Sequence, residues 1–182
     1  GEELGMTNYP FSHESELRDI ESIAFLHYEQ QHDNAAYAWN GIRSKGRDNA
    51  RTPMQWNVEP HAGFTCGTPW IPVNPNYPQL NAEQQARDPA SVLAFYRRLL
   101  RQSSEALRDG SFLPLHAPCD EVFAYERRAE QETVRVVANM GATPCPWVDA
   151  APGGELLLHN LEQPAGDVLQ PYELRIIRSA PA

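Results

Sequence analysis

Apolar positions follow two different rhythms along the 182-residue chain, and the change comes near Gly110. The clearest helical pattern runs from Pro89 to Arg108, where Val92, Phe95, Tyr96, Leu99 and Leu100 recur at three- and four-residue intervals and share one face. Asp88 is placed to cap the free N–H groups, and Pro89 suits the first helical position. Arg97, Arg98, Arg101 and Arg108 lie toward the negative end of the helix, and Gly110 can terminate it. Beyond Gly110 the pattern alternates, which predicts strands at Phe112 to His116, Glu121 to Arg128, Thr133 to Met140, Glu155 to His159 and Tyr172 to Arg178. Val134, Val136 and Ala138 would share one face of their strand, with Ala129 to Glu132 as the hairpin connection before it. The run Ala150 to Gly154 reads as a surface connection.

Upstream of about Arg87 clean periodicity is scarce, and Asn, Pro, His and Gly are dense. Glu16 to Gln31 permits one modest helix and Asn34 to Ile42 a second, neither able to stabilise a domain alone. The boundary therefore falls near Gly110, between residues 1–110 and an all-β stretch over 111–182.

Composition narrows the possible partners. A hydrophobic content of 41% suits a folded, globular chain, while a net charge of −9 argues against nucleic acid or an anionic membrane surface. No apolar run approaches the roughly 20 residues of a membrane span. The chain opens at Gly1 rather than Met, as a piece cut from something longer would. Cys66, Cys119 and Cys145 form no CxxC pair and are odd in number, which indicates neither a disulfide framework nor a cysteine-rich zinc site and favours a reducing, cytoplasmic setting. The six histidines show no HExxH or similar pairing, so no metal and no cofactor is expected.

Chemistry concentrates in Lys45-Gly46-Arg47-Asp48-Asn49-Ala50-Arg51-Thr52-Pro53-Met54-Gln55-Trp56, where two guanidinium groups, a carboxylate and an amide stand within five residues, Arg47 to Arg51. Such a set suits hydroxyl-rich ligands, because arginine offers a rigid fork of donors while Asp and Asn add acceptors. It equally suits a loop pinned by internal bonds. Two further segments, Gly1-Glu2-Glu3-Leu4-Gly5-Met6-Thr7-Asn8 and His61-Ala62-Gly63-Phe64-Thr65-Cys66-Gly67-Thr68-Pro69-Trp70, follow the same order as in a known family. Together with Trp70 to Tyr77, Asp88 to Val92 and Glu121 to Tyr125, they resemble the oligo-1,6-glucosidase and α-glucosidase branch of the α-amylase superfamily, glycoside hydrolase family 13.

That resemblance implies an α+β fragment. Residues 1–110 would hold the end of the eighth strand and the last helix of a (β/α)8 barrel with an irregular excursion between them, and residues 111–182 an antiparallel β-sandwich. It implies that Glu2 and Glu3 lie at the rim of a sugar pocket and that Arg47 binds the terminal, non-reducing glucose of a short oligosaccharide, together with an aspartate from the missing N-terminal barrel. Asp48, Asn49 and Arg51 would structure the loop, and Trp56 and Trp70 would pack rather than stack on sugar. Members of the family are retaining glycosidases with a carboxylate nucleophile and a carboxylic acid roughly 5 Å apart. Their catalytic motifs all lie upstream, so no catalytic residue is expected in this chain. Asp19, Asp33, Glu126 and Glu173 read as ordinary solvated charges. Without the rest of a barrel, the 89–108 helix would turn its apolar face to the sandwich, and roughly the first 60 residues would be poorly ordered. A free-standing carbohydrate-binding or interaction module is the competing expectation.

Overall fold

The computed structural model describes residues 1–148, 153–161 and 166–181. The expected connection at Ala150 to Gly154 therefore lies partly outside the described residues. The chain divides into two compact units, Gly1–Tyr96 and Arg97–Ala182.

In the first unit α1 (Ile20–Gln31) and α2 (Ala35–Lys45) pack against each other, followed by a short α3 (Ala82–Arg87). Phe11, Leu17, Leu26, Ala38, Ile42 and Ile71 form its buried core, flanked by Tyr9, Ile23, Phe25 and Trp39. The first 60 residues are built into this unit, where the expectation was that they would lack partners without the rest of a barrel. The reason lies in side-chain amides that do the work of a backbone ladder. Asn74 Nδ2 donates to the carbonyls of Thr7 and Asn8 at 2.9 and 3.2 Å, and Asn8 Nδ2 donates to those of Arg43 and Ser44 at 2.8 and 3.1 Å. Gln55 Nε2 donates to the Leu80 carbonyl, and Gln85 Nε2 to the Leu4 carbonyl. Backbone carbonyls of the irregular segments are satisfied in this way without regular structure. One turn in the excursion is held in left-handed backbone at His61, Ala62 and Gly63 (φ 55°, 58° and 67°), closed by the Trp56 amide donating to the Ala62 carbonyl at 2.9 Å.

The long helix predicted over Pro89 to Arg108 is two helices, α4 (Val92–Leu100) and α5 (Glu105–Asp109). Ser91 Oγ, rather than Asp88, accepts from an amide of the first turn of α4, that of Ala94 at 3.1 Å. The break follows from Ser104, whose extended backbone lets its hydroxyl accept from the Leu107 amide and start a new helix. No residue of α4 is buried.

All five predicted strands appear, as β1 (Ser111–Pro114), β2 (Val122–Arg128), β3 (Thr133–Asn139), β5 (Glu155–His159) and β7 (Leu174–Ser179), antiparallel in the order β1-β2-β3-β7-β5. Two short strands that the pattern did not reveal, β4 (Cys145–Pro146) and β6 (Val168–Leu169), pair as a second sheet. Val122, Ala124 and Val137 from the large sheet meet Cys145, Trp147 and Leu169 to form the sandwich core. β3 is buried on both faces, not only on that of Val134, Val136 and Ala138.

Cys119 and Cys145 form a disulfide with Cα atoms 6.3 Å apart, which the odd cysteine count did not indicate. Folding brings together two residues 26 apart that no short motif links. The cysteine argument for a reducing compartment falls with it. Loop-closure entropy for a ring of this length gives about 3.5 kcal/mol of stabilisation. Reduction with dithiothreitol, or Cys119→Ala together with Cys145→Ala, is expected to lower the urea midpoint of the second unit correspondingly. An unchanged midpoint would count against that contribution.

Candidate functional site

The arginine-rich segment closes the end of α2. Gly46, in extended backbone, ends the helix, and Arg47–Arg51 coil into a 3-10 turn. Space at Gly46 is tight, because a Cβ there would lie 2.6 Å from the Ile42 carbonyl oxygen. The turn is anchored by two of its own side chains. Asp48, 1% exposed, accepts the amides of Arg18 and Asp19 at 2.7 and 2.8 Å and stands 3.4 Å from Arg51. Asn49 donates to the carbonyls of Ile42, Arg43 and Gly46 and accepts the Tyr9 amide at 3.1 Å.

Arg47 makes the contact that sequence reasoning missed. Its Nη2 donates to Asp19 Oδ1 at 2.6 Å and its Nε to the same oxygen at 3.1 Å, while Nη2 also lies 3.1 Å from Glu21 Oε1. An aspartate of this chain therefore pairs with Arg47. Asp19 is not a solvated charge but 3% exposed, with Ser22 Oγ donating to its other oxygen at 2.8 Å. Donation from the Arg47 guanidinium holds the Asp19 carboxyl well below the usual range, at about 2. No signal in the sequence pointed to it, because Asp19 falls inside the Glu16 to Gln31 stretch; in the structure it stands just before α1 and its side chain makes no capping bond.

Glu126 and Glu173 are likewise buried rather than solvated. Glu126 bonds Arg128 and Arg135 at 2.7 and 2.6 Å, and Glu173 bonds Arg175 at 2.6 Å. Desolvation raises the Glu126 carboxyl, but the two arginines outweigh it and leave a net lowering. All these pairs lie in the β-rich unit and serve its packing. Asp33, the fourth of the group, is exposed, in a left-handed turn (φ 58°).

Beside Arg47 opens a cavity of about 700 Å³ whose lining includes Glu2, Asn8, Lys45, Asn49 and Met54. Glu2 Oε1 accepts from the Tyr96 hydroxyl at 2.8 Å, which pushes the Tyr96 phenol upward. Glu3 is not among the lining residues, and a backbone N–H is the first cause lowering its carboxyl. Trp56 and Trp70 are 51% and 54% exposed, so neither is the packed anchor expected. Among the described residues no three His, Cys, Asp or Glu side chains gather as a metal site would require. None of the described helices is long and apolar enough to cross a membrane.

Residues 1–110 match the model of the alpha amylase catalytic domain, and residues 110–176 match a domain family of unknown function. The oligo-1,6-glucosidase of Bacillus cereus is 37% identical over 98% of this chain and 34% of its own length. The trehalose-6-phosphate hydrolase of Escherichia coli (strain K12) is 36% identical over 95% of this chain and 33% of its own. Among solved structures, Bacillus licheniformis trehalose-6-phosphate hydrolase aligns with a TM-score of 0.87 at 34% identity, covering 99% of this chain and 35% of that one. A trehalulose synthase from Pseudomonas mesoacidophila MX-45 aligns with a TM-score of 0.86 at 38% identity, covering 98% and 34%. The chain spans about a third of the length of the curated relatives it matches. With the catalytic-domain match covering more than half of its residues and these relatives aligned over nearly all of them, the chain belongs to the alpha-amylase family.

Proposed function

We propose that this chain is the C-terminal part of a retaining α-glucosidase that cleaves α-1,6 or α-1,4 glucosidic bonds at the non-reducing ends of short oligosaccharides. In this reading the chain supplies one wall of the sugar pocket, and the catalytic carboxylates come from the upstream barrel. The observation that carries it is the Arg47 guanidinium bordering the 700 Å³ cavity, with Glu2 also in the lining and Nη1 without a hydrogen bond among the described residues. Sugar hydroxyl oxygens accept from such donors, and an enzyme that works from chain ends must close one end of its pocket around them. The relatives, an oligo-1,6-glucosidase and a trehalose-6-phosphate hydrolase by name, make a small glucoside the substrate class to test.

The experiment compares two proteins: the full-length product that contains this sequence, and the 182-residue chain alone. Isomaltose and p-nitrophenyl α-glucoside should be hydrolysed with retention by the first and untouched by the second. Hydrolysis by the isolated chain would contradict the missing carboxylates. A full-length protein that binds but never cleaves would favour a carbohydrate-binding module instead.

A further inference from the structure

The guanidinium of Arg47 is gripped along one edge. Nε and Nη2 share Asp19 Oδ1, and Nη2 also approaches Glu21, whereas Nη1 makes no hydrogen bond among the described residues. The two acidic partners are not equivalent. Glu21 has a side chain 75% exposed, and water screens its attraction. Asp19 is buried, its amide is tied to Asp48 and its second oxygen to Ser22, so its position is set from several directions. Since a guanidinium is planar and rigid, holding the Nε–Nη2 edge also sets where the Nη1 edge lies.

We propose that Asp19 is a positioning residue for sugar binding: its buried carboxylate locks the Nε–Nη2 edge of Arg47 and leaves the Nη1 donors to a hydroxyl-bearing ligand in the adjoining cavity. This inference rests on Arg47 being a sugar contact and adds what aims it. Asp48 and Asn49 already tie the turn to the backbone of α2 and of residues 18 and 19. The oxygens of Asp19, in contrast, receive the side chains of Arg47 and Ser22. A buried carboxylate whose arginine partner is half exposed does little for packing, and its worth lies in restraining a long side chain that would otherwise sample many rotamers. A pre-aimed donor binds without that ordering cost.

The test is steady-state kinetics of the full-length protein on p-nitrophenyl α-glucoside. Asp19→Asn keeps an acceptor oxygen but loses the charge, and should raise KM and lower kcat/KM on the order of tenfold or more, as misplaced binding groups do. Added to Arg47→Met, the same change should cost nothing further, because no guanidinium remains to aim. A second loss of similar size in the Arg47→Met background would make Asp19 merely structural and overturn the proposal, as would an unimpaired Asp19→Asn variant. If Arg47→Met itself leaves the kinetics intact, the sugar-contact reading fails and takes this inference with it; additivity removes the inference alone. Should Asp19→Asn fold poorly, carboxyl NMR on the 182-residue chain gives an independent readout. Asp19 should titrate near 2 in the unmodified chain and move upward in Arg47→Met, while an identical midpoint in the two would refute the coupling.

Discussion

Glu173→Ala is expected to destabilise the β-rich unit by about 3–5 kcal/mol, because it leaves the charge of Arg175 buried without its carboxylate. Glu173 is fully buried and Arg175 is 6% exposed, and they meet at 2.6 Å beside β7. The glutamate also accepts the Gln170 amide at 2.7 Å, and the arginine donates to the carbonyls of Gly166 and Val168, each at 2.6 Å. The pair thereby ties the segment around β6 to β7 and holds the small sheet over the core. Urea unfolding followed by tryptophan fluorescence measures the loss through Trp147, which lies in that core. The combined change Glu173→Leu with Arg175→Met should recover much of it, since no unpaired charge is then buried. A single variant within about 0.5 kcal/mol of the parent would put the pair among ordinary surface contacts.

Arg47→Met is expected to lower kcat/KM of the full-length protein for short α-glucosides on the order of a hundredfold to a thousandfold. The estimate assumes that two donors to sugar hydroxyls are lost, at about 1.5–2 kcal/mol each for bonds involving a charged group. Methionine keeps the length and apolar stem of the side chain, so the change reports on the donors rather than on packing. It also strands Asp19, which supplies a second measurement. Folding lowers the Asp19 carboxyl from 3.8 to about 2. A group depressed in the folded state adds stability that is complete above its unfolded value and is lost as pH falls through the folded one. The stability gap between parent and variant should therefore be constant above about pH 4 and close as the pH drops toward 2. Circular dichroism melts across that window check it, and a gap unaffected by acid would mean that the pair contributes nothing to folding.

Local pattern carried most of the β-rich unit. Strands β1, β2, β3, β5 and β7 were legible because alternation of side chains is a property of each strand alone. The helix over 89–108 was half legible: its apolar spacing was right, but the hydroxyl of Ser104 found a better use as the cap of a new turn than inside a continuous helix. The strands β4 and β6 stayed hidden, since two residues cannot show a period. In the first unit, α1 and α2 were legible at their approximate limits, whereas the order of the surrounding loops was not. Amide bonds such as Asn74 to Thr7 span 67 positions and leave no trace in neighbouring residues.

For the site, the residue types of the Arg47 to Arg51 segment announced both a donor fork and the groups that hold its loop. What no linear reading could supply was burial. Asp19, Glu126 and Glu173 look like any surface carboxylate in the sequence, and each becomes buried only because folding closes other segments over it; Arg47 reaches Asp19 from 28 positions away, whereas Arg175 stands two residues from Glu173. The same holds for Cys119 and Cys145, which meet across the sandwich. The sequence by itself therefore determined the family, the strand pattern and the identity of the candidate sugar-facing arginine. The tertiary structure alone decided which charges are buried, because the energy of a charge depends on how much water the surrounding segments exclude, and most of those segments are distant along the chain.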